Sequence, residues 1–250
     1  MGEQEPADAA DLARAVRSAA GYRPDPDLAP VVLRLPFRGP WLTVRTPAAR
    51  VPSHGTHLGG QTFALDFVAV GPRRRTASVR DWRTVLATEP ANRFVGFGSP
   101  VLAPAAARVV AVHDGEPDHA ARRSPLLLLP YALGQGARLR QGVEAVTGNH
   151  VVLALDEQPG CVLLAHLRQG SVAVAPGDRV APGDQVGTCG NSGNSTQPHL
   201  HVQVMDSASL LSARGLPVVF TDYDVRSRAG AARVSQGIPH RREVVEPVSS

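Results

Sequence analysis

From residue 31 onward the chain alternates short apolar or β-branched runs with turn residues. Such runs occupy 31–35, 41–45, 62–70, 101–102, 108–113, 150–155, 161–167, 171–175, 185–188 and 200–205. Ten short strands at this spacing predict a mainly β fold, an antiparallel sandwich or barrel. Upstream, residues 1–28 are Ala-rich and acidic, and the spacing over 8–20 predicts a short peripheral helix. Two polar insertions interrupt the strands, at 71–98 and 114–148; the second holds the apolar run 126–129 and an Ala/Leu/Arg stretch that reads as helical. Loops of that length commonly serve function, and these are expected to wall a groove. The doubled Pro-Gly-Asp at 176–178 and 182–184 predicts a tight hairpin. One more apolar run follows at 216–220, and 226–250 reads as a tail that frays. The expected organisation is an arm over 1–28, one domain over 29–225 and that tail.

Composition narrows the class. Of 250 residues, 43 % are hydrophobic but only 4 % aromatic, so Val, Leu and Ala must fill the core. The 24 Gly and 22 Pro suit frequent turns, not a helical bundle. No apolar run is long enough for a membrane-spanning helix. All 26 basic residues are Arg, against 22 acidic ones, and they are scattered except for Arg73, Arg74 and Arg75. A nucleic-acid groove would cluster cations with interleaved aromatics, so none is expected. Cys161 and Cys189 are too few for a disulfide framework and are expected as two buried thiols. The N-terminus shows neither a basic nor an apolar segment of the kind a secretory signal carries.

Candidate chemistry lies in the histidines. On a strand, His199, His201 and Gln203 would share one face, with Leu200, Val202 and Val204 on the other. Two imidazoles on one strand suit metal ligation or acid–base work. In 62–68, Phe63, Leu65 and Phe67 would line one face and Asp66 the other, and a buried carboxylate there needs a cationic or hydrogen-bonding partner. His54 and His57 lie upstream, and His166 stands in an otherwise apolar run. Each feature alone has an ordinary structural reading: a solvated strand face, an Asp–Arg pair, a satisfied core histidine.

Taken together they do not. Gly190-Asn191-Ser192-Gly193-Asn194-Ser195-Thr196-Gln197-Pro198-His199-Leu200-His201 resembles the Gly-x-Ser/Thr-Gly-x-Ser-x-x-Pro-His-Leu-His signature of M23 (LytM/lysostaphin-type) zinc metallopeptidases. In order, Gly98 to Pro104, Gly148-Asn149-His150-Val151-Val152, Leu164-Ala165-His166-Leu167 and Val174 to Gly187 resemble further segments of that family. The resemblance spans about 50–206 and makes 29–225 an M23-like peptidase domain. It implies Zn²⁺ held by His201, Asp66 and an upstream His, leaving a fourth position to water, with His166 and His199 as the non-ligating catalytic pair. The family commonly places the upstream His four residues before Asp, but position 62 is Thr. His54 is the favoured ligand and His57 the alternative. Leu164 stands where the family has Tyr. The implied activity is endopeptidase cleavage of peptidoglycan cross-bridges; the alternative is a non-catalytic peptidoglycan-binding or regulatory module on the same fold. By resemblance the protein would work at the cell envelope or outside the cell, whereas the N-terminus by itself fits the cytoplasm equally. The sequence specifies no oligomeric state.

Overall fold

The computed structural model describes residues 9–124, 143–227 and 230–248. Its elements follow in order. Helix α1 (Ala9–Gly21) precedes strands β1 (Val31–Arg34) and β2 (Trp41–Arg45); a 3₁₀ segment (Leu58–Phe63) leads into β3 (Leu65–Ala69). Then come α2 (Arg83–Leu86), β4 (Pro100–Leu102), β5 (Ala107–His113), α3 (Glu144–Thr147), β6 (Asn149–Leu155) and β7 (Cys161–Leu167). The chain ends through β8 (Arg179–Val180), β9 (Gln185–Thr188), β10 (Leu200–Met205), β11 (Gly215–Leu216), β12 (Val218–Ser227), β13 (Gly230–Gly237) and β14 (Val244–Pro247).

The long sheet runs β1-β12-β14-β2-β3-β10-β7-β6-β5-β8, with β11 on β10 and β13 on β12; β4 and β9 form a second, two-stranded sheet. The fold is mainly β and mainly antiparallel, as the spacing predicts, with β1 and β12 parallel. Alternation decides the core. Leu65 and Phe67 of β3, Val162 and Leu164 of β7, and Leu200, Val202 and Val204 of β10 face one buried cluster. Val101 of β4 and Val186 of β9 cover it from the second sheet. Phe37 stacks on Trp41 at 4.7 Å, and Phe67 meets Phe37 and Phe220 edge-on. Burying one such side chain is worth about 1.5–3 kcal/mol, so this alternation pins the register of the strands. Cys161 and Cys189 are buried free thiols.

Four expectations change. Residues 171–175 join no ladder: Asp114 takes the amides of Gly170 and Val172, and the Ala173 amide alone bonds β9, at the Val186 carbonyl. Phe63 closes the 3₁₀ segment and does not extend β3; Gly59 and Gly60, at φ 61° and 78°, turn the chain just before it. The doubled Pro-Gly-Asp makes two turns, not one hairpin: Gly177 and Gly183 take positive φ, and Asp178 and Asp184 each accept from the first amide of their own turn. The tail does not fray in its described residues. β14 lies between β12 and β2, and β13 pairs with β12 as a largely exposed strand whose polar sequence carries no apolar alternation.

The insertions dock on each other. Arg123 binds Glu89 through two bonds of 2.7 Å, Glu89 and Ala121 pair as a β-bridge, and the Ser124 hydroxyl donates to the Val85 carbonyl. Ala77, Phe94 and Ala121 form a small core between them. The apolar run 126–129 and its helical reading lie outside the described residues.

Candidate active site and metal centre

A cleft of about 520 Å³ opens on the face of the long sheet opposite the main core. Register builds its floor. Asp66 on β3 sits directly across from His201 on β10, and His201 in turn sits across from Ala165 on β7. Because Leu65, Phe67, Leu200 and Val202 face the core, Asp66 and His201 must face the cleft.

His54 arrives from the loop after β2. Its Nε2 lies 3.0 Å from Asp66 Oδ2, and His201 Nδ1 lies 2.9 Å from Asp66 Oδ1. Donor atoms of His54, Asp66 and His201 all fall within 4.8 Å of one another. His199 Nε2 is 3.7 Å from Asp66 Oδ1, and the His166 ring packs 4.6 Å from that of His199. His57 stands apart: its Nδ1 pairs with Thr62 Oγ1 at 3.0 Å and its ring packs edge-on against Tyr22.

His166 reaches the cleft by breaking the alternation. Val162 and Leu164 face the core, so a regular β7 would send His166 there too. Instead the β6–β7 register shifts at this residue, and His166 takes φ 62°. A left-handed conformation costs a non-glycine residue roughly 1–2 kcal/mol, and here it delivers an imidazole to the site. Leu164 stays in the core, away from the cleft.

The outer nitrogen of each imidazole is occupied. Ser53 Oγ donates to the Gln61 carbonyl at 3.2 Å, so its oxygen accepts from His54 Nδ1 at 3.0 Å. Gln203 donates to the Gly59 carbonyl at 2.7 Å, so its Oε1 accepts from His201 Nε2 at 2.9 Å. His166 Nδ1 donates to the Ser192 carbonyl at 3.0 Å, and His199 Nδ1 to the Gln197 carbonyl at 2.8 Å. Each neutral ring therefore turns a lone pair inward. An imidazole lone pair and a carboxylate oxygen about 3 Å apart repel unless a cation sits between them, a proton or a metal ion.

Burial disfavours the proton. It lowers the His54 and His199 pKa values below 6.5 despite Asp66 nearby, and drives His166 well below that value, helped by His199 and His201. Burial alone would raise the Asp66 carboxyl, but the His54 and His199 rings beside it, followed by His201, favour the carboxylate form and hold it well below the usual range. Two imidazole nitrogens and a carboxylate suit a divalent metal of the zinc type.

The loop 190–198 carries His199 and the partners of His166. Gly193 and Gly148, both at positive φ, abut so closely that a Cβ on Gly193 would lie 2.4 Å from the Gly148 nitrogen. Ser192 Oγ donates to the Leu167 carbonyl and accepts from the Asn149 amide, which ties this loop to β6 and β7. Asp118 accepts from the Asn191 amide, and the Arg122 amide donates to the Thr196 carbonyl. The described part of the second insertion thus buttresses this loop, and Val143, Val146 and Thr147 line the cleft. The expectation that 71–98 walls the groove fails: its residues pack on 121–124 instead and none lines the cleft.

Arg45 is the site residue the sequence did not single out. It pairs with Asp66 in register and places Nε 3.6 Å from Oδ2, half-exposed at the cleft edge. Its signal is non-local, since it depends on the pairing of β2 with β3.

Residues 131–212 match the sequence profile of peptidase family M23. The family resemblance read from the motifs is M23. The matched stretch contains His166, His199 and His201 but neither His54 nor Asp66. No curated protein matches the chain. Solved structures similar to it include the lysostaphin catalytic domain from Staphylococcus simulans, 24 % identical, covering 49 % of this chain and 70 % of that one at a TM-score of 0.32. A zinc-containing peptidase from Vibrio cholerae is 18 % identical, covering 72 % and 35 % at 0.35. The prophage-encoded M23 protein EnpA from Enterococcus faecalis is 16 % identical, covering 62 % and 73 % at 0.34. The M23 match supports a peptidase.

Proposed function

We propose that this chain is a zinc-dependent endopeptidase acting on peptide cross-bridges of peptidoglycan. The observation that carries the reading is the set of four imidazoles, buried or nearly so, of which His54, His199 and His201 surround the Asp66 carboxylate and His166 packs on His199 and His201 in one cleft. His54, Asp66 and His201 would hold the metal, with His54 favoured over His57 because His54 alone of the two reaches Asp66. When bound, Zn²⁺ supplies Lewis acidity toward the scissile carbonyl and lowers the pKa of a bound water.

The remaining work falls to the protein. His199 is assigned as the proton acceptor: its Nδ1–H is anchored on Gln197 and beside Ser195 Oγ, and Asp66 Oδ1 at 3.7 Å steadies the imidazolium that forms. The proton that His199 takes from water passes to the leaving amine by way of the adjacent His166, whose buried ring holds positive charge poorly and so releases it. Ala165, small and next to His201, leaves room for an extended peptide over the sheet. Arg45 offers a cation at the cleft edge for an acidic group of the substrate.

The test pairs elemental mass spectrometry with a peptidoglycan digestion assay. About one zinc per chain is expected. His201→Ala should lose zinc and hydrolysis, whereas His199→Ala should keep zinc and lose hydrolysis. Loss of zinc in His199→Ala overturns the role assignment. No zinc after reconstitution, with retained binding to peptidoglycan, replaces the enzyme by a binding module.

A further inference from the structure

The helical turn α2 is built inside out. Trp82, Val85 and Leu86 stand at i, i+3 and i+4, one face of a turn closed by the Leu86 amide on the Trp82 carbonyl at 3.0 Å. That face points to solvent: Trp82 is 63 % exposed, Leu86 61 % and Val85 53 %, and Val79 beside them is exposed as well. The inward side is polar. Thr84 donates to Glu89, which is fully buried against Arg123, and Asp81 takes a 2.8 Å bond from Arg93. Amphipathic turns ordinarily bury the apolar face and expose the polar one. Here an ion-pair network holds the turn from behind, and among the described residues its apolar side is left without cover.

The surroundings are cationic. Residues 71–98 contain six Arg against two acids, a surplus of four that equals the net charge of the whole chain. Both acids, Asp81 and Glu89, are already matched by Arg93 and Arg123. Arg73, Arg75 and Arg80 are exposed, and Arg83 lies over the Trp82 ring at 5.5 Å. An exposed aromatic–aliphatic tip with Arg83 on its Trp ring, in a segment that carries further exposed Arg, is the chemistry of an interfacial anchor on anionic lipid. Aliphatic Val85 and Leu86 distinguish it from a sugar platform, which needs aromatic faces and polar partners.

We propose that the 71–98 insertion docks this protein on an anionic lipid surface, with Trp82, Val85 and Leu86 entering the headgroup region. The inference is independent of the cleft, since none of these residues lines it. The chain carries its own reporter. It has two Trp, and Trp41 is buried, 1 % exposed, so a change in the emission wavelength reads Trp82.

The experiment titrates the full chain with vesicles of phosphatidylcholine alone or mixed with phosphatidylglycerol, followed by Trp emission and co-sedimentation. A blue shift and sedimentation with the mixed vesicles only, weakened by added salt, is the expected result. Leu86→Ser and Trp82→Ala should each lower partitioning by about tenfold or more without changing the far-UV circular dichroism. No shift or sedimentation with any vesicle overturns the proposal. So does binding to soluble polyphosphate but not to vesicles, which would mean a site for charge alone. A concentration-dependent rise in mass that hides Trp82 without vesicles also overturns it, because the face would then pair with a second copy.

Discussion

Gln203 separates a metal-orienting role from a merely structural one. It is buried, takes the His201 Nε2–H on its Oε1 at 2.9 Å, and donates to the Gly59 carbonyl at 2.7 Å. Gln203→Met keeps the shape and removes both bonds. Two costs follow, and they read out separately. Losing the partner that orients a ligating His weakens metal affinity by about 10–100-fold, or ~1.4–2.8 kcal/mol. Leaving the Gly59 carbonyl without its donor costs about 1–3 kcal/mol of folding stability, with or without metal. For a domain of this size that lowers Tm by roughly 2–4 °C per kcal/mol. The assay is zinc competition against a chromophoric chelator, alongside thermal melts in EDTA. Gln203→Glu gives the second arm: its carboxylate still accepts from His201 but cannot donate to Gly59, so it should melt early yet hold zinc near the native affinity. If Gln203→Met lowers Tm and leaves zinc affinity unchanged, the orientation argument for His201 is wrong.

Three further outcomes follow from the same geometry. Arg123→Ala strands the buried Glu89 carboxylate at a cost of about 3–5 kcal/mol, and hydrogen exchange should show residues 76–95 opening; Glu89→Gln combined with Arg123→Met should restore most of the protection, and equal exchange in both would remove the ion pair as the anchor. Burial lowers the His54 and His199 pKa values below 6.5, so their lone pairs persist as pH falls through 6.5, and a bound cation pushes the same way; the acid limb of kcat/KM should lie below pH 6.5, and a limb at or above it would contradict the burial argument. Gly193→Ala forces a Cβ to within 2.4 Å of the Gly148 nitrogen at a left-handed φ, so the loop must shift by a few tenths of an ångström or more; zinc content should hold while hydrolysis drops by about tenfold to a hundredfold, and parallel loss of zinc would tie the loop to the metal ligands.

What was legible in the chain was what alternation and short-range spacing encode. β2, β7, β9 and β10 begin and end where the apolar runs do, and β10 carries an uninterrupted two-residue period over the core, which β7 keeps only as far as Leu164. The His199/His201/Gln203 face was readable for the same reason. β13 was not, since a largely exposed hairpin strand has no apolar period, and its pairing with β12 rests on the backbone ladder with one Arg233–Asp222 ion pair and Val234 against the core. The direction of the His166 side chain was not legible in the alternation: the register shift against β6 and a left-handed φ turn it to the cleft, and neither leaves a local mark. Arg45, Ser53 and Gly59 act on the site through contacts that depend on tertiary approach. A doubled Pro-Gly-Asp specified its turns but not how many strands they join.

The two proposed metal-binding histidines use different nitrogens, and register explains why. His201 lies directly opposite Asp66 on a neighbouring strand, where strands run about 4.8 Å apart. At that spacing the nitrogen nearer the backbone, Nδ1, meets the carboxylate at 2.9 Å, and Nε2 points along the strand to Gln203. His54 has no strand to fix it. It comes from outside the sheet, so its far nitrogen, Nε2, reaches Asp66 while Nδ1 is tied back to its neighbour Ser53. The site therefore depends on the apolar residues interleaved with it. A one-residue slip of β10 against β3 would send His201 into the core and Leu200 or Val202 into the cleft. The buried faces of Leu65, Phe67, Leu200 and Val202 forbid that slip, so the same alternation that fills the core places the chemistry.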